Sequence, residues 1–556
     1  DVAYSADMDL ERSSEPSSNL MCGLVARFGP VRGPGDPLPL RAAAGMLAHR
    51  GPDGAGEWRA ECFHLLHRRL AVIDLATGDQ PMASADGRQV IVFNGEIYNY
   101  RELRSELISS GHVFRTTSDT EVVLNGWREW GIGLPVRLEG MFAFAIADVA
   151  RGSLFVARDR FGEKPLFVHD DQGVITVAST LGGVLAALPA LPRVIAPGPL
   201  SSYLCLNYVP GEATLIAGIE RLPPATWRLW DHKSQTSGRY WNPAAVSTRP
   251  TFATLGAAAE ALAPVLDRAV ERALRADTPV TLFLSGGIDS SLVAESARRQ
   301  GGIRDAFCLD IAESGHGEYA GAERVARRLG LNLHRVEMQV TAVEDFTSLV
   351  RHADDPLADS SALAMWSLAR MAGRDYKVAL SGDGGDEFFG GYLTYSATLL
   401  HGRLISRLPA GVRRLLARLA PLIPVGAGKV PLSYKLWRFL RAAPLPTAEA
   451  HFTWNGTWLP AEACVLLGDA TDSAPARSAL ARVAAAHRLT ASPALRDLQL
   501  ADLADYFPND ILVKADRMTM AHGMEARAPL LTPEVAEFGL ALPERFKSSA
   551  FGTGKR

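Results

Sequence analysis

The run Leu284-Ser285-Gly286-Gly287-Ile288-Asp289-Ser290-Ser291 closes a short apolar segment, Val280–Leu284, and opens a helical one, Ser290–Arg299. Its small residues let main-chain N–H groups approach an anion at a helix N-terminus, where the helix dipole favours negative charge. The Gly-Lys-Ser/Thr ending of a Walker loop is missing, so a lysine on a terminal phosphate is not expected. A second loop, Ser381-Gly382-Asp383-Gly384-Gly385-Asp386-Glu387, follows another apolar run, Lys377–Leu380, and crowds carboxylates. Ala306–Leu309 reads as a further strand and Thr254–Ala276 as a long helix. Strands alternating with helices imply a parallel sheet whose ligands sit beyond the strands' carboxyl ends, so both loops are expected on one sheet edge. Taken singly, the first loop could be a structural turn and the second a solvated acidic turn.

Upstream the pattern differs. From Cys22 to about Trp230 the chain runs through short alternating or apolar stretches, among them Val90–Phe93, Phe142–Ala147, Leu154–Ala157 and Gly173–Ala178, with Gly and Asp turns between. That pattern predicts antiparallel sheet layered with a few helices. Residues 1–21, rich in Ser and acids, read as a disordered or cloning-derived extension. The divisions expected are 22–233 for the first domain, 234–250 for a polar, proline-bounded linker and 251–556 for the second domain. Arg403–Leu419 and Ala476–Leu489 read as helices with basic, solvated outer faces, and Pro421–Val430 as a loop.

With 556 residues, 47% hydrophobic and 21% charged, the chain suits two globular domains. Lys+Arg 58 against Asp+Glu 61 leaves a net charge of −3, which gives no footprint for a nucleic-acid partner. The five cysteines, Cys22, Cys62, Cys205, Cys308 and Cys464, show no metal-ligand spacing and fit a reducing cytoplasm. No apolar run is long enough for a membrane span, and none reads as a signal peptide.

Cys22 directly follows Met21. Removal of what precedes it would leave a thiol and an α-amine on one residue, and the amine can take the thiol proton to make a nucleophile for an amide carbon. Asn94-Gly95 can offer a side-chain and a main-chain N–H to the oxyanion such an attack creates. Arg69 can meet an α-carboxylate and Asp119 an α-ammonium. Each has another reading: an incidental cysteine, a hairpin turn at Asn94-Gly95, a surface cation at Arg69, a helix N-cap at Asp119 ahead of Thr120–Trp127.

In order, Cys22-Gly23-Leu24, His49-Arg50-Gly51-Pro52-Asp53, Arg69–Leu75, Asn94-Gly95-Glu96-Ile97-Tyr98-Asn99, Thr117–Glu121, Gly140–Phe144 and Arg158–Gly162 resemble the class II glutamine amidotransferase domain. Ser-Gly-Gly-x-Asp-Ser resembles the pyrophosphate loop of enzymes that split ATP into AMP and pyrophosphate. With Phe388–Tyr392, Asn509–Met518 and Glu525–Pro529, the second half resembles the asparagine synthetase family. This resemblance implies an α+β N-terminal-nucleophile sandwich (α/β/β/α) followed by an α/β parallel-sheet ATP-pyrophosphatase domain with added helices. It implies Cys22 as nucleophile, Asn94 and Gly95 as oxyanion hole, and Arg69, Leu70, Val72, Glu96 and Asp119 as glutamine contacts. For ATP it implies Leu284, Ser285, Gly286, Gly287, Asp289, Ser290, Leu309, Ser381 and Gly382, with Asp289 and Asp386 on Mg²⁺, and Asp383 and Lys555 near the chemistry.

The activity implied is hydrolysis of glutamine to glutamate and ammonia, adenylation of a carboxylate by ATP, and amide formation as AMP leaves. Aspartate is the first-choice acceptor. However, Asp354-Asp355-Pro356-Leu357-Ala358-Asp359-Ser360-Ser361 stands where some members carry a Thr and an Arg, which leaves room for a peptide, a cell-wall precursor or a specialised metabolite. A cyclase joining an internal amine and a non-catalytic glutamine or nucleotide binder are the alternatives. Asp383 stands where other members carry Glu. Lys555 lies next to the final residue, a position that suggests truncation, and residues 1–21 would block the Cys22 amine if retained. The resemblance leaves room for a homodimer.

Overall fold

The computed structural model describes residues 22–30, 40–51, 53–247, 252–310, 318–338, 343–424, 426, 431–468 and 478–547. Its first half holds two six-stranded antiparallel sheets. One runs, in spatial order, Glu220–Arg221, Phe167–Asp171, Val174–Ala178, Gly23–Phe28, Phe63–Arg69 and Gly54–Ala60. The other runs Gln235–Arg239, Thr226–Asp231, Ser153–Arg158, Gly140–Asp148, Gln89–Ile97 and Met82–Ala83.

Alternation along the strands assembles these sheets into four layers. Leu24, Ala26, Phe28, Val90 and Val92 face the other sheet in one core. Val25 turns outward to the helices Leu40–Met46 and Leu181–Ala187, while Ile91 and Phe93 turn outward to the helices Tyr100–Ser109 and Asp119–Trp130. The strand Gln235–Arg239 lies inside the stretch read as linker, so regular structure of this half runs on to Arg239; residues 248–251 are outside the described set.

In the second half five strands, Asn332–Glu337, Asp305–Asp310, Val280–Phe283, Val378–Leu380 and Glu525–Arg527, lie side by side in that order, every pairing parallel. The helix Leu255–Ala273, capped by Thr254, and the helix Ile288–Arg299 sit against this sheet. Pro409 precedes the helix Ala410–Leu419, so the stretch from Arg403 is not one helix but a wide turn, His401–Ile405, and then that helix. No helix among the described residues is long and apolar enough to cross a membrane.

The halves meet through buried charge. Arg50 makes a two-pronged contact with Asp516 at 3.0 and 3.2 Å, and both side chains are buried. Lys164 reaches the same carboxylate at 3.4 Å, and Arg527 joins Glu96 to Glu525. Such pairs are costly to break, because removing one partner strands the other charge away from water.

Candidate functional site

Cys22 enters the first sheet just before Gly23–Phe28, and its half-buried thiol is fixed by main chain. The Leu70 N–H donates to Sγ at 3.2 Å, and Sγ lies 3.5 Å from the Leu70 carbonyl. Arg50 Nε donates to the Cys22 carbonyl at 3.3 Å. Burial pushes the thiol up to about 12, so ionisation there needs a base close by.

Asn94-Gly95 is not a hairpin turn. Both residues lie inside the strand Gln89–Ile97, opposite Ala143 and Phe142. Gly95 adopts φ +144°, and a β-carbon there would stand 2.0 Å from the Met141 carbonyl, so this site admits only glycine. Asn94 Nδ2 donates to Ser179 Oγ at 3.5 Å, and the same hydroxyl accepts the Leu24 N–H at 3.1 Å. Ser179 thus ties the Asn94 amide to the strand that begins at the thiol; nothing in its sequence neighbourhood signalled it.

Arg69 donates to Asp79 at 3.0 Å and to the Leu75 carbonyl at 3.3 Å, tying down the loop 74–79. Asp119 does not cap its helix; Ser118 does, accepting the Thr120 N–H at 3.2 Å. The Asp119 carboxylate instead takes the Ile97 N–H at 3.0 Å, and burial raises its pKa. Glu96, expected on glutamine, is paired with Arg527 of the second half. Burial lifts its carboxyl well above the usual range against the pull of that guanidinium. Val72 accepts the Asp277 N–H at 3.0 Å, another link between the halves.

The two glycine-bearing loops of the second half touch. The Asp289 carboxylate lies where a β-carbon on Gly385 would be, 2.4 to 2.7 Å away, and Gly382 stands against the Ser290 N–H. Gly286 has φ +72°, and a β-carbon there would come 2.5 Å from the Ala322 nitrogen, so both the backbone angle and the space call for glycine. Together they wall a cavity of about 310 Å³ lined by Leu284, Ser285, Gly287, Asp289, Ser290, Leu309, Ser381, Gly382, Asp383 and Asp386, beside Phe307 and Met365. Gly286 stands behind this wall.

Ser381 Oγ donates to Asp383 at 2.8 Å, and burial raises the Asp383 pKa. Burial likewise pushes Glu387 up to about 8, although the Tyr392 hydroxyl donates to it at 2.6 Å. Among the described residues no cluster of three or more His, Cys, Asp or Glu forms a protein-only metal cage. Carboxylates of Asp289 and Asp386 on adjoining loops suit a hard divalent cation that takes its other oxygens from phosphate and water. Lys555 lies outside the described residues.

Beside Asp383 stands a group not anticipated in this role. Lys514 donates to Asp359 at 2.6 Å and to Ser361 at 2.7 Å. Burial, with the Asp359 charge beside it, lifts Asp510 to about 7. The rest of the acidic stretch is structural: Asp354 accepts the Leu181 and Gly182 N–H groups at 2.6 and 2.7 Å, and Asp355 pairs with Arg221. Between the two sites a small cavity, about 20 Å³, is lined by Met141, Glu163 and Lys164 from one half and Ser381, Asp383 and Asp516 from the other.

Residues 21–241 match the family described as Glutamine amidotransferase domain, and residues 261–556 match Asparagine synthase. The protein named asparagine synthetase [glutamine-hydrolyzing] 1 of Bacillus subtilis (strain 168) is 31% identical over 536 residues, covering 95% of this chain and 82% of that protein. A Mycobacterium bovis protein that carries glutamine-hydrolysing asparagine synthetase as a provisional name is 34% identical, over 94% of this chain and 82% of its own. Among solved structures, the glutamine phosphoribosylpyrophosphate amidotransferase of B. subtilis overlaps with a TM-score of 0.29 at 18% identity, covering 57% of this chain and 81% of that one. The chain belongs to the glutamine-hydrolysing asparagine synthetase family, ATP-dependent ligases fed by a glutamine amidotransferase domain.

Proposed function

We propose that this chain frees ammonia from glutamine at Cys22 and joins it to a carboxylate adenylated in the cleft between Ser285-Gly286-Gly287 and Ser381-Gly382-Asp383. The observation that carries the reading is the meeting of those loops, with the Asp289 carboxylate seated against Gly385.

Once residues 1–21 are removed, the Cys22 amine accepts the thiol proton and the thiolate attacks the glutamine side-chain amide. Asn94 Nδ2 and the Gly95 N–H hold the oxyanion, ammonia leaves, and water releases glutamate from the thioester. Arg69 exchanges Asp79 for the glutamine carboxylate, and Asp119, with Glu96 beside it, receives the ammonium; Leu70 and Val72 supply main chain.

In the cleft an acceptor carboxylate attacks the α-phosphorus of ATP, pyrophosphate departs, and ammonia displaces AMP from the acyl carbon. Asp383 takes up the proton that ammonia sheds. Leu284, Ser285, Gly287, Ser290, Leu309, Ser381 and Gly382 hold the nucleotide, and Gly286 backs them. Asp289 and Asp386 would hold Mg²⁺, which would supply positive charge beside the phosphates. Ammonia crosses by way of the cavity bounded by Met141, Lys164 and Asp383, which residues of both halves line.

Lys514 supplies the cation for an amino-acid acceptor's α-carboxylate, while Asp359 and Asp510 suit its ammonium. Aspartate is therefore the first acceptor to test. Products from glutamine, ATP, Mg²⁺ and a panel of carboxylates are resolved by mass spectrometry. Amide, AMP and pyrophosphate in equal amounts are expected; ADP and phosphate would overturn the reading.

A further inference from the structure

Between Glu387 and Glu449 the chain carries seven arginines and two lysines but neither aspartate nor glutamate, in a protein whose net charge is −3. Two helices of this stretch, Ala410–Leu419 and Leu432–Arg441, pack side by side and have no buried residue. On the first, Val412, Leu415 and Leu419 form a stripe that is 41%, 54% and 43% exposed. Leu422 at its end is 75% exposed, and Leu432 and Leu436 on the second helix are 81% and 46% exposed. Arg414, Arg418 and Lys435 stand exposed around them. Arg438 and Arg441 turn inward, onto the Trp454 carbonyl and Glu462, and so fasten the second helix to the body.

A stripe of leucine in water, rimmed by charge of one sign, is a docking face rather than an ordinary solvated surface. A second copy of the chain is a poor occupant, because a two-fold contact through this face would set arginine against arginine. A polynucleotide would satisfy the cations and leave the leucines in water. Headgroup phosphates above an acyl boundary satisfy both, and amphipathic basic helices lie in such a boundary without spanning it.

We propose that these two helices seat the protein on an anionic lipid surface, leucines entering the headgroup boundary and arginines meeting phosphate. This inference does not depend on which acceptor the enzyme uses.

The test is sedimentation of the full chain with vesicles of phosphatidylcholine alone or mixed with phosphatidylglycerol. Pelleting is expected only with the anionic vesicles and declines as salt is raised. Arg414→Gln and Arg418→Gln should each lower partitioning about fivefold. Leu415→Ser with Leu432→Ser should abolish it while the melting temperature stays within a few degrees of the parent, which separates lost docking from lost fold. Equal pelleting with both vesicles, pelleting with neither, or undiminished binding by the leucine variant would overturn the proposal. So would a dimer in free solution that the leucine variant dissolves.

Discussion

The thiol pocket and the cleft between the two glycine loops hold their polar groups by opposite means. Around Cys22 the partners are fixed dipoles inside a two-sheet sandwich: the Leu70 N–H, the Asn94 amide steadied by Ser179, and a glycine whose β-carbon has no room. Around Asp289 they are loops at a sheet edge, walling a cavity of about 310 Å³ with carboxylates brought together by two glycine turns. Attack on an amide develops charge at one known atom, which rigid dipoles serve well. A nucleotide brings its own charges and bulk, so it needs room and counter-charge instead.

The difference is broken most sharply by Cys22→Ala. Glutamate release should fall on the order of 10⁴-fold, while AMP formation fed by ammonium salts keeps its rate. An equal fall in both would mean the pockets are not chemically separate.

Next in size is Asp516→Asn, which leaves Arg50 buried beside Lys164 without its carboxylate. It should cost about 3–5 kcal/mol in denaturant unfolding and raise the ratio of glutamate to AMP above one. A loss of stability with that ratio unchanged would show that the ion pair holds the halves together without matching their turnover.

Ser179→Ala removes only the hydroxyl between Leu24 and Asn94. A drop of about tenfold in kcat for glutamine hydrolysis, with KM little changed, is expected if fixed dipoles govern the first pocket.

A pH-dependent effect concerns Glu387, on the second of the cleft's two loops. Because burial pushes Glu387 up to about 8, the folded state holds a proton there that the unfolded chain releases in the usual carboxylate range. Stability from this group is therefore full at acid pH and declines as pH rises toward about 8. Glu387→Gln keeps an oxygen for the Tyr392 hydroxyl and should gain about 3 kcal/mol at pH 8 relative to pH 5. Lys547, lowered by burial to about 7, contributes the opposite slope above that pH, so the difference between variant and parent isolates Glu387.

The sequence carried the layers and the loops well. Alternation in Val90–Phe93 and Phe142–Ala147 reports which side of a strand is buried, and strand–loop–helix punctuation at Ser285-Gly286-Gly287 reports a parallel sheet edge. It carried much less about partners distant along the chain. Glu96 meets Arg527 across 431 residues and Arg50 meets Asp516 across 466, and no local pattern encodes such pairs. Ser118 rather than Asp119 caps its helix because Asp119 is drawn inward by the Ile97 N–H. Lys514 is not legible as a neighbour of Asp359, because the stretch 354–361 holds no cation and Lys514 arrives from a helix 155 residues away.

That helix, Leu512–Met520, carries Lys514 on the side of Asp359 and Asp516 on the side of Arg50, whose guanidinium grips the Cys22 carbonyl. One rod therefore has a handle in each pocket. A bound ligand that favours one position of the rod over another changes the affinity of the distant pocket by some factor, and thermodynamic reciprocity requires the distant ligand to return the same factor.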